Sequence, residues 1–293
     1  MSATPVLSKE FEVQGTFLRV RKERVVDGDT IRVYLPNSSK AESLRILNLD
    51  TEESFKFSSK PVTPWGKAAK SYAVSFFKGQ TEVIIEFPGI ESVEESLEKY
   101  RGTFGRLLVW VHRLDGVDLT ERMIRLGYSP YYNKYGNAEF DSHRQRYTLA
   151  ERAAQMENRG VWDQEGVNGR VIRNYPALCT WWNLRAGIID RYRAARKSGA
   201  VVYNTRKDFA KLSKLAETGA TATVFTEIRD LRKARGESAG VGAVASIGTN
   251  DRPFEIQIPD IDAGNGAKTL ELIRARYIGS ERSPNRGYCY VKG

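Results

Sequence analysis

Three short clusters carry residue types that can do chemistry. The first, Asp27-Gly28-Asp29-Thr30, sets two carboxylates around a glycine between two extended segments. The second, Arg45-Ile46-Leu47-Asn48-Leu49-Asp50-Thr51-Glu52-Glu53, opens on a guanidinium and ends in three carboxylates. The third, Phe104-Gly105-Arg106, puts another isolated arginine at the head of an apolar run. Carboxylates gathered at a strand end repel one another unless a cation neutralises them, and hard divalent cations such as calcium take oxygen ligands from Asp, Glu and backbone carbonyls. Each cluster also has a plainer reading, because Asp-Gly is a strong tight-turn signal and acidic residues are common at wet strand ends.

The elements that must position these clusters follow from the hydrophobic period. Strands are expected over 11–26, 30–34 and 44–49, then over 81–87 and 106–111. Between them, Ala68, Ala69, Tyr72, Ala73, Phe76 and Phe77 recur at helical spacing within 65–78, and the acidic stretch 91–100 reads as a solvated loop or helical turn. Helices are expected over 119–126 and 138–159, the latter closed by Gly160 with Trp162 folding back. These elements form a first domain over 8–163, followed by a linker or wrapping arm over 164–181 containing Gly166, Gly169 and Pro176. A second domain over 182–293 carries helices at 182–197 and 206–217, then strand-like runs at 220–228, 240–247, 254–258, 270–278 and 288–291, which suggest a small OB-like β-barrel.

In this order and spacing the three clusters resemble the staphylococcal nuclease (thermonuclease) family, whose pattern runs D-G-D-T, then R-x4-D-T-P-E, then Y-G-R. Pro64-Trp65-Gly66-Lys67-Ala68-Ala69 at a helix start, the helix before Gly127, and Gly160-Val161-Trp162 at the domain end extend the likeness to about residues 10–165. The resemblance implies a mixed α and β, mainly β, fold: a five-stranded OB-like Greek-key barrel with helices packed on it. It implies a calcium-dependent nuclease that hydrolyses phosphodiester bonds in DNA, with RNA a further candidate substrate, and leaves 3′-phosphate ends. Asp29 and Asp50 then correspond to carboxylate ligands of calcium, Thr51 to a ligand through its backbone carbonyl, and Glu53 to the carboxylate that positions or deprotonates the attacking water. Arg45 and Arg106 correspond to the two guanidinium groups that hold the scissile phosphate.

Glu52 stands where the family has Pro, Phe104 where it has Tyr, and Gly102-Thr103 where Asp-Lys is common. None of these removes a group assigned above, but Phe104 lacks a phenol hydroxyl that could donate to phosphate. Glu52 adds a charge that either faces the metal or points to solvent. Tyr128, Tyr131, Tyr132 and Tyr135 follow the helix at 119–126, where the resemblance places rings that stack on a base; core packing is the equal alternative.

The chain has 293 residues and a net charge of +10. Met1 to Glu165 holds 24 basic and 24 acidic residues, leaving 22 basic and 12 acidic after it, so the whole excess lies in the second half. A polyanion partner is expected there. Arg185, Arg191, Arg193, Arg196, Lys197, Arg206, Lys207, Lys211 and Lys214 face only Asp190, Asp208 and Glu217, and Arg282, Arg286, Tyr288 and Tyr290 form a second basic-aromatic group. Such mixtures suit single strands, a basic groove tracking the backbone while rings accept bases; the plainer reading is a solvated helix face and core tyrosines. Cys179 and Cys289 match no metal spacing, no apolar run approaches a membrane span, and no obligate protein partner is readable. The start MSATPVLSKEFEV lacks the basic and apolar regions of a signal peptide, which fits either an internal protein or a trimmed, exported one. The rival to catalysis is a non-catalytic or calcium-regulated nucleic-acid-binding protein on the same fold.

Overall fold

The computed structural model describes residues 13–56, 61–132, 140–163, 165, 173–234, 242–250, 252–278 and 287–293. The chain divides into two compact units, residues 1–102 with 106–183, and residues 103–105 with 184–293.

The first unit is built on five strands, β1 (Phe17–Asp27), β2 (Thr30–Tyr34), β3 (Ala41–Ile46), β4 (Glu82–Glu86) and β5 (Leu107–His112). They close into the five-stranded barrel expected above, in the order β1-β2-β3-β5-β4. The β3–β5 pair is parallel and the other pairs antiparallel. In β2, Ile31 and Val33 point into the core while Thr30, Arg32 and Tyr34 are half-exposed, the alternation of a strand with one wet face. Strand β5, Leu-Leu-Val-Trp-Val-His, is buried along its length because it lies between β3 and β4 with both faces covered, and its sequence is accordingly a continuous apolar run.

Four helices pack on this barrel: α1 (Pro64–Phe76), α2 (Val93–Lys99), α3 (Leu119–Arg125) and α4 (Asp141–Met156). At the start of α1, Thr63 Oγ1 accepts the Gly66 N–H at 2.9 Å and Pro64 occupies a first-turn position where its missing N–H costs nothing. At α3, Asp118 Oδ1 accepts from the Thr120 and Glu121 amides at 2.7 and 3.3 Å, while its Oδ2 accepts the Tyr147 hydroxyl at 2.7 Å. One carboxylate thus caps α3 and ties it to α4. The acidic stretch forms the short helix α2, with Ser92 Oγ accepting the Glu95 N–H at 3.2 Å. Helix α4 begins at Asp141 rather than 138, the latter being outside the described residues.

Helix α5 runs over Tyr175–Lys197, so the stretch expected to be a linker is already helical from Tyr175. The second unit continues with β6 (Tyr203–Asn204), α6 (Phe209–Glu217), β7 (Thr223–Glu227), β8 (Asp230–Lys233), β9 (Ala243–Ser246), β10 (Glu255–Ile258), α7 (Gly264–Arg276) and β11 (Tyr288–Lys292). Small sheets are present here as expected, but among the described residues they are two three-stranded sheets, β10-β9-β8 and β11-β7-β6, rather than a closed barrel. The run 270–278 is helical for most of its length, not extended. Leu270 and Ile273, three apart, are buried, whereas Leu272, which a strand would put on the same face as Leu270, is 47% exposed. None of the described helices is long and apolar enough to cross a membrane.

One buried group gives the first unit a pH signature. Glu151, on α4, accepts the Tyr131 N–H at 2.8 Å, and burial pushes its pKa from 4.5 up to about 7 against that single hydrogen bond. The folded chain therefore keeps a proton that the unfolded chain has lost between these values, so stability falls as pH rises from about 4.5 to about 7. Glu151→Gln keeps an acceptor for Tyr131 and removes the ionisation cost. We expect it to melt higher than the parent at pH 8, by up to about 3 kcal/mol, with little difference near pH 5; identical melting curves at both pH values would show that Glu151 does not titrate in this range.

Candidate active site

The strand register collects the sequence clusters at one end of the barrel. Thr30 on β2 is paired with Arg45 on β3, and Arg45 with Leu108 on β5, two residues beyond Arg106. The Ile46 N–H donates to the Asp29 carbonyl at 3.0 Å, which pins the β1–β2 turn against β3. After Ile46 the chain leaves the sheet, turns through Asn48 at a φ of 63°, and returns Asp50, whose N–H donates to Ser129 Oγ at 2.9 Å. Trp110 Nε1 donates to Asn48 Oδ1 at 2.9 Å, so the turn that presents Asp50 is anchored to the barrel core.

Arg45, 7% exposed, is the centre of the group. Its Nη1 is ion-paired with Asp29 Oδ2, and its Nη2 donates to the Leu49 carbonyl at 2.9 Å and lies 3.4 Å from Asp50 Oδ1. Asp29 Oδ1 accepts the Thr30 hydroxyl at 2.9 Å, and Arg106 Nη1 donates to that Thr30 oxygen at 3.4 Å. Asp29, Thr30, Arg45, Asp50 and Arg106 are thereby joined through direct contacts.

Thr51 and Glu53 come in through close backbone approaches. A Cβ on Gly28 would stand 2.8 Å from Thr51 Cγ2 and 3.0 Å from the Ala69 Cβ, so only glycine lets the Asp27–Thr30 turn lie against Thr51 and α1. A Cβ on Gly66 would stand 2.2 Å from the Glu53 carbonyl oxygen, and the Thr63 N–H donates to that same oxygen at 3.1 Å. The first turn of α1 therefore holds the backbone of Glu53, whose side chain is half-buried.

Other candidate residues lie elsewhere. Phe104 is 74% exposed. The Tyr131 ring packs on Tyr147, centroids 5.8 Å apart, and the Tyr132 ring meets the Trp182 edge at 5.5 Å, so both rings serve packing within the first unit. Tyr135, Arg282 and Arg286 lie outside the described residues. In the second unit, Arg191, Arg196 and Lys197 are exposed, and Arg196 also donates to Asp208 Oδ2 at 2.5 Å and to the Val202 carbonyl at 3.1 Å. Tyr288 is a core ring rather than an exposed stacking platform: it is 6% exposed and stacks on Phe225 at 5.1 Å, which stacks on Tyr192 at 4.2 Å. Tyr290 is 45% exposed.

The structure also brings in two residues that sequence reasoning missed, Arg173 and Tyr175. Arg173 Nη2 lies 3.4 Å from Asp50 Oδ2, and the Tyr175 hydroxyl donates to Glu52 Oε1 at 2.8 Å. Glu52 is 4% exposed, so the acid that replaces the family proline is an anchor for this incoming segment rather than a solvent-facing charge. Burial works against the charge on Arg173, but the carboxylates of Asp50 and Glu52 outweigh it and raise its pKa. Burial, with the neighbouring Glu52 and Asp50, raises the Tyr175 pKa despite Arg173, so the phenol stays protonated and able to donate. The available signal was Glu52 itself, since a carboxylate next to an apolar helix start needs a donor from somewhere.

The first unit is thus an OB-like barrel domain, a closed five-stranded barrel with two carboxylates, a bridging arginine and a second arginine at one end. Residues 43–164 match the model of the family described as staphylococcal nuclease homologue, and this part of the chain is a domain of that family. The match begins after the Asp27–Thr30 turn, which the closed barrel and its bonds to Arg45 place in the same domain. Among similar proteins, a probable endonuclease LCL3 of Komagataella phaffii is 27% identical over 128 residues, 43% of this chain and 51% of that protein. An uncharacterized endonuclease of Escherichia coli is 26% identical over 142 residues, 48% of this chain and 75% of its own length. A probable endonuclease LCL3 of Candida dubliniensis is 24% identical over 160 residues, covering 47% and 63%. The chain thus spans about half the length of the first of these relatives, and every one of these matches covers less than half of the chain.

Tyr175→Phe removes the donor to Glu52 Oε1 and leaves a buried carboxylate short of its partner, an expected loss of about 1–3 kcal/mol. Denaturant unfolding of the full chain checks this; an unchanged midpoint would show that the bond contributes nothing to holding the segment.

Proposed function

We propose that the chain is a nuclease that hydrolyses phosphodiester bonds in DNA, with RNA a further candidate substrate, at the Arg45–Asp29–Asp50–Arg106 end of the barrel. The observation that carries this reading is the single guanidinium of Arg45 held between Asp29 and Asp50, with Arg106 linked to the same group through Thr30. Asp29 and Asp50 flank the two terminal nitrogens of the same guanidinium, and their donor atoms, with the Thr51 carbonyl, are all hard oxygens of the kind calcium takes. When bound, the ion supplies a Lewis acid for the phosphate's non-bridging oxygen.

The chain's own groups do the rest. Negative charge builds on the non-bridging oxygens as water attacks phosphorus, and Arg106, together with Arg45 when its N–H groups turn from Asp29 and Asp50 to the phosphate, matches those oxygens with planar N–H forks. Glu53, set on the backbone that α1 grips, holds the attacking water and accepts its proton. As the family resemblance implies, the bond that breaks is P–O5′, the 5′ oxygen leaving with a proton from solvent, so that the products carry 3′-phosphate and 5′-hydroxyl ends.

Arg106→Ala and Glu53→Ala are expected to lower turnover about 10²–10⁴-fold while circular dichroism and melting stay close to the parent, because each removes charge stabilisation or water activation rather than core volume. Excess EDTA should abolish cleavage and calcium should restore it. Activity near the parental level in either folded variant, or equal digestion in EDTA, would reject the assigned roles. Retained DNA binding with no cleavage by the parent in any divalent ion would favour the binding-protein reading.

We further propose that the second unit anchors nucleic acid, supported by its excess of basic residues and by the exposure of Arg191, Lys197 and Tyr290. Truncation after Asp163 is a poor test, since it would strip Tyr175 from Glu52 and Trp182 from Tyr132. The variant Arg191→Glu/Lys197→Glu should instead raise KM for long DNA several-fold at low ionic strength with kcat little changed. The difference should shrink as salt rises, and the salt slope of binding should fall by about 1 for each lost phosphate contact. An unaltered KM at low salt would point away from this face.

A further inference from the structure

The chain has two histidines, and both converge on one buried carboxylate. His112 ends β5 and His143 lies in the first turns of α4, 31 positions apart, yet their Nε2 atoms lie 2.8 and 3.0 Å from the same atom, Glu86 Oε2. Glu86, His112 and His143 are 0%, 2% and 1% exposed, and their candidate ligand atoms all lie within 4.8 Å of one another. The group stands at the opposite end of β5 from Arg106, roughly 20 Å away at ~3.3 Å per residue, so it is not part of the site described above.

Outer contacts aim these atoms inward. Glu86 Oε1 accepts the N–H groups of Gln14 and Gly15 at 2.9 and 3.0 Å, which fixes the carboxylate with Oε2 turned toward the histidines. His143 Nδ1 lies 3.4 Å from Ser142 Oγ, and the His143 ring is packed by Trp110 at 4.5 Å and Phe140 and Tyr147 at 5.7 Å. Orienting bonds behind the liganding atoms and a dry, packed surround are what a metal centre requires of its protein.

We propose that Glu86, His112 and His143 form a second metal site, for a nitrogen-preferring divalent ion of the zinc class, that clamps α4 and residues 14–15 to the end of the barrel. Two imidazoles and one carboxylate are a zinc donor set, whereas calcium takes oxygen ligands. Tetrahedral bonds of about 2.0–2.1 Å separate ligand atoms by roughly 3.3 Å, so the two Nε2–Oε2 spacings of 2.8 and 3.0 Å need to open by a few tenths of an ångström, while the third ligand pair already lies within 4.8 Å. Coordination replaces the Nε2 protons: each neutral ring then carries its proton on Nδ1, and any proton in excess leaves to solvent.

The test uses the full chain. Zinc-supplemented, dialysed protein should retain one zinc per chain, and zinc should raise the melting temperature by several degrees while calcium does not reproduce the shift. Because the chain has two histidines, their ring ¹⁵N resonances read the site without any substitution: both Nε2 signals should move on adding zinc, and both should be unmoved by calcium. His112→Gln and His143→Gln should each weaken zinc binding about 100-fold or more, with nuclease-site calcium binding unchanged. No retained zinc, unmoved Nε2 signals in the parent, or zinc retained equally in both folded variants would overturn the proposal.

Discussion

At the end of the barrel a positive side chain is buried between two negative ones, and the surrounding structure is arranged around that fact. An arginine as sequestered as Arg45 is stable only if its charge and its N–H groups are matched, which Asp29, Asp50 and the Leu49 carbonyl do together. None of these partners is next to Arg45 in sequence. Each is delivered by a different device: Asp29 by the tight turn after β1, Asp50 by the left-handed turn at Asn48, and Arg45 by its register opposite Thr30. A shift of that register by one residue would turn Arg45 away from the acids and its apolar neighbours out of the core.

The same economy explains why two glycines stand where the clusters meet. At Gly28 and Gly66 the loops and the start of α1 approach more closely than any side chain would permit, and this closeness carries Thr51 and the Glu53 backbone to the group. Behind them Ser129 and Asn48 hold the turn through bonds to the Asp50 amide and Trp110. The polar end thus rests on the barrel core, in which β5 is apolar and buried from Leu107 to Val111.

Beyond the barrel, the first unit extends through Asn183 because Arg173 and Tyr175 belong to its polar end and Trp182 to its packing. The second unit has its own apolar core, with Ile247, Ile258, Leu270 and Ile273 between the small sheets and α7, and its own aromatic stack through Phe225. Its positive charge is distributed unevenly in role. All three of Arg191, Arg196 and Lys197 are at the surface, and Arg196 is also tied to Asp208 and Val202.

By itself the sequence determined the barrel strands, the helices α1, α3 and most of α4, and the cluster of Asp29, Arg45, Asp50 and Arg106. Short-range period and the chemistry of carboxylates and arginines are local properties, and the order of the three motifs carries the family likeness. It also determined that the second half is basic. What it left open depended on contacts between distant segments. Glu52 was an unexplained charge until Tyr175 arrived from 123 positions away. The run 270–278 reads as a strand in the sequence, and burial of Leu270 with Ile273 and exposure of Leu272 decided for a helix. Glu86, His112 and His143 carried no motif at all. Three residues on β4, β5 and α4 become one group only when the barrel closes and α4 lies across its end, because a shared hydrogen-bonded carboxylate is a property of three-dimensional distance and not of spacing along the chain.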